Sequence, residues 1–261
     1  MKRLFFLTIA VLLFPVGIWW FLISEDLLLH SIESSLAPYQ LHADFLHLRK
    51  GPFYQVQSQS ISLKRSDQPL FSIDDFVGRI NPLLLFLMRP NLSFRGVVAG
   101  GHIAGEVSQP YMRGARGQIR FDRLSLDGIP FLAEKGIAGG GVITGEGRLD
   151  DHRGELTFSI QGLHLKNGSS WGAVIPLDLF DRGRGILCME EEKIRIGSFS
   201  LEGDGIFARI KGTIGGGETD LTIEIMPDAH LLEEGSSRLS LLEKFKVSPG
   251  YYVIPIRGHF P

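Results

Sequence analysis

The chain is poor in the residues that usually carry chemistry. It has a single cysteine, Cys188, in 261 residues, which excludes an intramolecular disulfide and leaves stability to packing. Inside the apolar string Ile186, Leu187, Cys188, Met189 it reads as a small buried hydrophobe of a strand rather than a nucleophile. An excess of one charge is also missing. Lys and Arg number 27 against 29 Asp and Glu, a net charge of −2, so the clustered basic footprint that a nucleic-acid partner needs is absent. The histidines (His30, His42, His47, His102, His152, His164, His230, His259) include no HExxH string and no cysteine partner, which leaves no zinc signature. Glu190, Glu191 and Glu192 form a charged turn without the alternating oxygens of a calcium loop. Gly139–Gly141 and Gly145–Gly147 precede neither a Lys-Ser/Thr pair nor a helix, so no phosphate-binding loop is read. Gly168, Ser169, Ser170, Trp171, Gly172 spells the nucleophile-elbow string, but the β pattern around it and Pro176 supply no strand–turn–helix to hold an elbow. No catalytic, cofactor-binding or metal-binding residue is assigned, and the chain reads as a non-enzyme without a cofactor.

Long hydrophobic runs are also scarce, with one exception. Leu4 to Ile23 is apolar except for Thr8, Pro15 and Gly17, and a helix of this length rises about 30 Å, the thickness of a bilayer's hydrocarbon core. Lys2 and Arg3 precede the run and Glu25 and Asp26 follow it, which keeps the amino terminus cytoplasmic. Leu4, Phe14, Trp19, Trp20 and Ile23 are the candidate anchor residues, the two tryptophans lying at the far interface. A cleaved signal peptide needs a shorter apolar core and a small-x-small site, whereas this run ends in Trp-Trp-Phe-Leu-Ile-Ser-Glu. The lipid bilayer is therefore one partner. The expected organisation is a cytoplasmic tip and anchor over 1–24, a juxtamembrane helix over 25–38 and a β-rich domain over 39–261. In a bacterium this is a single-pass inner-membrane protein with its bulk in the periplasm.

What the rest of the chain has in quantity is strand pattern. Apolar residues recur at i, i+2, i+5 and i+7: Leu41, Ala43, Leu46, Leu48; Ile119, Phe121, Leu124, Leu126; Phe158, Ile160, Leu163, Leu165; Ile194, Ile196, Phe199, Leu201. A weaker copy is Val56, Ser58, Ile61, Leu63. Each pair has a period of two, hence a strand with one apolar face. The three-residue step between pairs flips the face unless a bulge or bend restores it. A long, curved, antiparallel sheet with one apolar side follows. The twelve residues from Ile119 to Leu201 in the last three copies are the candidate lining of an apolar trough.

Between the strands, Ser24 to Leu36 has a helix signature: a Ser cap, an acidic first turn, and Leu28, Leu29, Ile32 and Leu36 at helical spacing. Strands are expected near 39–49, 53–64, 70–80, 92–98, 102–108, 116–127, 141–149, 154–165, 184–190, 192–202, 205–214 and 218–226. Residues 82–89, bracketed by Pro82 and Pro90, are too short to span a bilayer and read as a buried or membrane-surface helix. Ala229 to Phe245 reads as an amphipathic helix. The closing run from Tyr251 to Phe260 alternates as a strand, and Pro255 confines it to an edge or a bulge. Tyr251, Tyr252, Pro255 and Arg257 form the candidate docking edge.

The single amino-terminal helix, the V/I-x-F/I-x-x-L-x-L strands and the Leu-rich pieces between them resemble the AsmA/TamB-like superfamily. Within it, the closing segment Pro249, Gly250, Tyr251, Tyr252, Val253, Ile254, Pro255, Ile256, Arg257, Gly258, His259, Phe260, Pro261 is similar to the ending of the type II secretion system protein N (GspN) family. His259 departs from that pattern, standing where a small β-former such as Thr is expected. The resemblance implies a half-barrel or trough with short connecting helices. It further implies a non-enzymatic periplasmic accessory of the type II secretion apparatus, with protein partners in the secretion platform. The alternative is an AsmA-like lipid-handling or outer-membrane biogenesis protein whose trough takes acyl chains.

Overall fold

In the computed structural model, residues 24–37, 40–52, 54–65, 68–82, 84, 89–108, 114–130, 139–151, 153–165, 176–190, 193–215, 217–233 and 240–259 are described. The fold is mainly β and antiparallel, with few and short helices. Contacts divide the chain into two compact units, the first comprising 1–98 and 102–113, the second 99–101 and 114–261. The anchor run, with Leu4, Phe14, Trp19, Trp20 and Ile23, lies outside the described residues. Among the described residues no helix is long and apolar enough to cross a membrane. Most of 82–89 and all of 168–172 also lie outside them.

The first unit begins with helix α1 (Glu25–Leu36), which carries Glu25 and Asp26 in its first turn. There they face the positive end of the helix dipole. Its strands are β1 (Leu41–Leu46), β2 (Arg49–Gly51), β3 (Gln55–Arg65), β4 (Gln68–Ile80), β5 (Asn91–Val98) and most of β6 (Gly101–Ser108). They follow the order β1-β3-β4-β5-β6, with β2 beside β3. In β1 the structure corrects the sequence pattern. The strand runs regularly to its end, Phe45 opposite Ile61 and Ala43 opposite Leu63. Phe45 therefore shares the inner face with Ala43, and Leu46 is 49% exposed. The bend comes after Leu46, at His47, whose φ is +54°, a left-handed value that redirects the next side chain. In β3 the polar member of the weaker copy is accommodated by hydrogen bonding. Buried Ser58 donates its hydroxyl to the carbonyls of Leu46 at 2.9 Å and Ser60 at 2.8 Å, so this hydroxyl is not left an orphan. Beside it, Asp75 and Phe76 of β4 stand against Gly96 of β5, with Asp75 left-handed at φ +50°.

The second unit contains β7 (Arg116–Ser125), β8 (Gly139–Asp150), β9 (Arg153–Leu165), β10 (Arg182–Glu190), β11 (Lys193–Gly203), β12 (Ile206–Gly215), β13 (Glu218–Pro227), β14 (Lys246–Ser248) and β15 (Tyr251–His259). The order is sequential except that β15 lies between β13 and β14. The strand order runs from one end to the other without closing on itself. The single helix expected over 229–245 is replaced in the described residues by two short pieces. They are α2 (Ala229–Glu233) and a 3₁₀ segment (Ser240–Phe245), which runs directly into β14. Asp228 starts α2, its carboxylate accepting from the Leu231 amide at 2.9 Å as an N-cap does.

Candidate functional site

The apolar residues of the second unit are brought together by bulges at the three-residue steps. In β7, Asp122 and Arg123 stand against Thr144 of β8, and Arg123 is left-handed at φ +54°. In β9, Gly162 at φ +60° and Leu163 stand against Gly141. In β11, Gly197 and Ser198 stand against Lys211 of β12. Each extra residue cancels the face flip of an odd step. Register then aligns three rows across the sheet. The first is Ile119, Gly147, Leu156, Leu187, Ile196, Gly212, Leu221, Ile256. The second is Phe121, Gly145, Phe158, Gly185, Phe199, Ile210, Ile223, Ile254, and the third includes Ile143, Ile160, Gly183, Leu201, Ala208, Ile225, Tyr252. No charged side chain stands in these rows. The charges occupy the opposite face, where Glu146 lies 3.8 Å from Arg120 and 3.7 Å from Arg148, and Lys211 lies 3.1 Å from Glu224.

Glycines on β8 and β10 let this face accept large neighbours. A Cβ on Gly185 would lie 2.4 Å from the ring of Phe158, and one on Gly145 would lie 2.7 Å from the ring of Phe121. Phe158 and Phe199 flank Gly185 and meet at 5.7 Å between centroids, tilted by 48°, a favourable geometry for aromatic pairs.

One end of the face is covered and the other is not. Leu126, Ile160, Leu163, Leu201, Ile206, Ile225 and Tyr252 form one buried cluster with Phe180 and Leu242, the latter two 1% and 0% exposed. Leu177, Leu179, Leu231 and Phe245 pack against it. The covering segment at 176–181 is held by backbone bonds, Leu163 donating to Asp181 at 2.7 Å and Asp181 to Glu202 at 2.9 Å. Towards the other end, Ile119, Phe121, Phe158 and Ile196 are half-buried, Ile194 is 38% exposed and Met189 is 47% exposed. Thus Leu124, Leu126, Ile160, Leu163 and Leu201 lie in the covered part with half-buried Leu165, whereas Ile194 reaches solvent. Cys188 is half-buried on the charged face, opposite Arg195, rather than buried as the apolar string around it implied.

The closing strand β15 pairs with β13 from Tyr252 to His259, Pro255 standing opposite Thr222 without a register shift. Its other side meets β14 only at Tyr251 and Tyr252. From Val253 onward that side has no strand beside it among the described residues. Tyr252 is 1% exposed and belongs to the core cluster, so its side chain is not part of an accessible edge. Pro255 and Arg257 are exposed and Tyr251 is half-buried, and Arg257 lies 3.3 Å from Asp220. Sequence reading missed β14, a three-residue strand too short to show a period, and missed Phe180, a lone core residue after Pro176. Leu242 falls inside the helix expected over 229–245 and is not singled out there as core. Among the described residues no group of three or more His, Cys, Asp or Glu is placed to hold a metal. The chain matches no family model, no curated protein and no solved structure.

Proposed function

We propose that the chain is a non-enzymatic component of the type II secretion system, anchored in the bacterial inner membrane by Leu4–Ile23, with its β domain in the periplasm assisting protein export by contact. The observation that carries this reading is the place of the closing segment, the part most similar to the type II secretion system protein N family. Among the described residues it forms a strand with no other strand on its outer side from Val253 to His259, and a free strand side is a template for an added strand of a partner. Pro255 and the paired Arg257 blunt that edge against self-association.

A second reading is favoured by the half-uncovered apolar face: an AsmA-like lipid-handling protein whose curved sheet forms a trough for acyl chains. Apolar surface such as Met189 and Ile194 is costly to leave in water, and acyl chains would cover it. One experiment separates the two. Tyr251→Lys with Val253→Lys alters the accessible side of β15. Met189→Lys with Ile194→Lys alters the open half of the apolar face. Loss of type II substrate export with the β15 pair, at unchanged protein level, supports the contact role. Normal export with a leaky outer membrane in the Met189/Ile194 pair selects lipid handling. Wild-type behaviour of both pairs refutes both readings.

A further inference from the structure

The first unit carries a dish, apolar at its floor and bordered by two arginines, that neither reading uses. Four strands supply it: Gln55 of β3 stands opposite Arg79 of β4, Arg79 opposite Ser93 of β5, and Val77 opposite Arg95. Ala104 and Gly105 of β6 complete the lining of a cavity of about 410 Å³. The small side chains at Val77 and Ala104 keep the middle low, and the two arginines rise beside it. They occupy diagonal positions on neighbouring strands, about 7–8 Å apart at Cα by sheet geometry, so their guanidinium groups can converge on one ligand.

The charge balance of the dish is one-sided. Elsewhere on the protein, Arg116, Arg148 and Arg257 each have a carboxylate within 4 Å. Arg79 and Arg95 have no such partner among the described residues, and no acid lines the cavity. The nearby acid Glu106 is engaged by the Asn91 amide at 2.5 Å. The Ser93 hydroxyl has only a long contact of 3.4 Å to the Arg79 carbonyl, which it can exchange for a ligand oxygen. Two guanidinium forks, a hydroxyl and a carboxamide offer more donors than the two oxygens of a carboxylate can accept, whereas a phosphate group presents three or four acceptor oxygens.

We infer that the dish formed by Arg79, Arg95, Ser93 and Gln55 is a binding site for a phosphate-bearing ligand, either free phosphate or the headgroup of an anionic lipid. The site stands on geometry that owes nothing to the proposed export role, so its failure would leave that role unaffected. The test uses the full chain in neutral detergent micelles, titrated with inorganic phosphate and, separately, with micelles doped with phosphatidylglycerol, followed by phosphorus NMR line width. Saturable binding of inorganic phosphate identifies a free-phosphate site, and saturation only with phosphatidylglycerol identifies a headgroup site. In either case Arg79→Gln with Arg95→Gln should weaken binding at least about ten-fold, because two charge-assisted contacts are lost. Arg195→Gln, on an arginine of the second unit outside this cavity, should leave it unchanged. If the double variant loses its far-UV circular dichroism, Arg79→Lys and Arg95→Lys replace it, since they keep charge but lose the planar fork. The proposal is overturned if neither probe saturates, or if the folded arginine variants bind like the wild type.

Discussion

Substituting Gly185 tests the aligned apolar face at its tightest point. A Cβ there would lie 2.4 Å and 2.6 Å from two atoms of the Phe158 ring, and both are side-chain atoms that can swing away. Displacing the ring from Phe199 costs about 1–3 kcal/mol as overpacking. Replacing glycine inside a strand returns about 0.5–1 kcal/mol of backbone entropy. Gly185→Ala should therefore destabilise by anything up to about 2.5 kcal/mol, the difference of those two effects. Phe158→Ala should cost about 2–3 kcal/mol, below the range for a fully buried ring because Phe158 is half-buried. In the Phe158→Ala background the conflict is gone and only the entropy gain remains. Gly185→Ala should then stabilise by about 0.5–1 kcal/mol, a coupling of about 1–3 kcal/mol in the double-mutant cycle. Urea denaturation midpoints at a common slope measure all four corners. Additive effects across the cycle would refute the register that puts Phe158 over Gly185. Gly212 supplies the contrast. At φ +135° its Cβ would meet the backbone carbonyl of Asp220 at 2.0 Å, so Gly212→Ala should destabilise in every background.

Other consequences can be checked on the same preparations. Ile225→Asp, at a fully buried position on the apolar face, should cost several kcal/mol, about what an unpaired buried charge costs. Thr213→Asp, exposed on the charged face, should stay within about 0.5 kcal/mol, and equal thermal shifts for the two would contradict the one-sided sheet. Arg123→Gly should be neutral or stabilising by up to about 1 kcal/mol because it relieves a left-handed non-glycine residue, whereas Arg120→Gly, three residues earlier in the same strand, should destabilise by about 0.5–1 kcal/mol. Burial raises the Tyr54 pKa above its ordinary 10.0. The folded state thus favours the protonated phenol, and this contribution, intact below pH 10, should be lost as pH rises through the folded value. Tyr54→Phe should flatten that alkaline limb of the stability profile.

The strands were legible because their code is local. Alternation names the buried face residue by residue, and the odd step at Leu124, Leu163 and Phe199 announces a bulge before any partner strand is known. The same code failed at Leu46. There the chain bends at His47, after Leu46 rather than between Ala43 and Leu46 as the pattern implies, and only the pairing of Phe45 with Ile61 reveals which side chain is inside. Ser58 was ambiguous for a related reason: a buried serine is acceptable only if acceptors lie nearby, and the Leu46 carbonyl comes from another strand. The helix read over 229–245 failed because Leu231, Leu242 and Phe245 owe their burial to the sheet end beneath them. A helical period and two short covering pieces place those residues equally well.

The candidate site was half legible for the same physical reason. A one-sided sheet states where apolar surface must go but leaves open what covers it. The chain itself covers the end at Phe180 and Leu242, so covering there is a matter of folding. Where Met189 and Ile194 remain exposed, none of the described residues covers the face. The edge beyond Tyr252 raises the same question for backbone polar groups instead of apolar carbon. Val253 stands opposite Glu224 and Tyr252 opposite Ile225, so consecutive side chains of β15 face the charged side and the core in turn. The two proposed roles therefore draw on separate surfaces of one unit: the accessible flank of β15 for a protein strand, the open apolar half for acyl chains. Because those surfaces share no residue, charge placed on one leaves the other intact, and loss of export or loss of the lipid barrier can each be traced to its own face of the sheet.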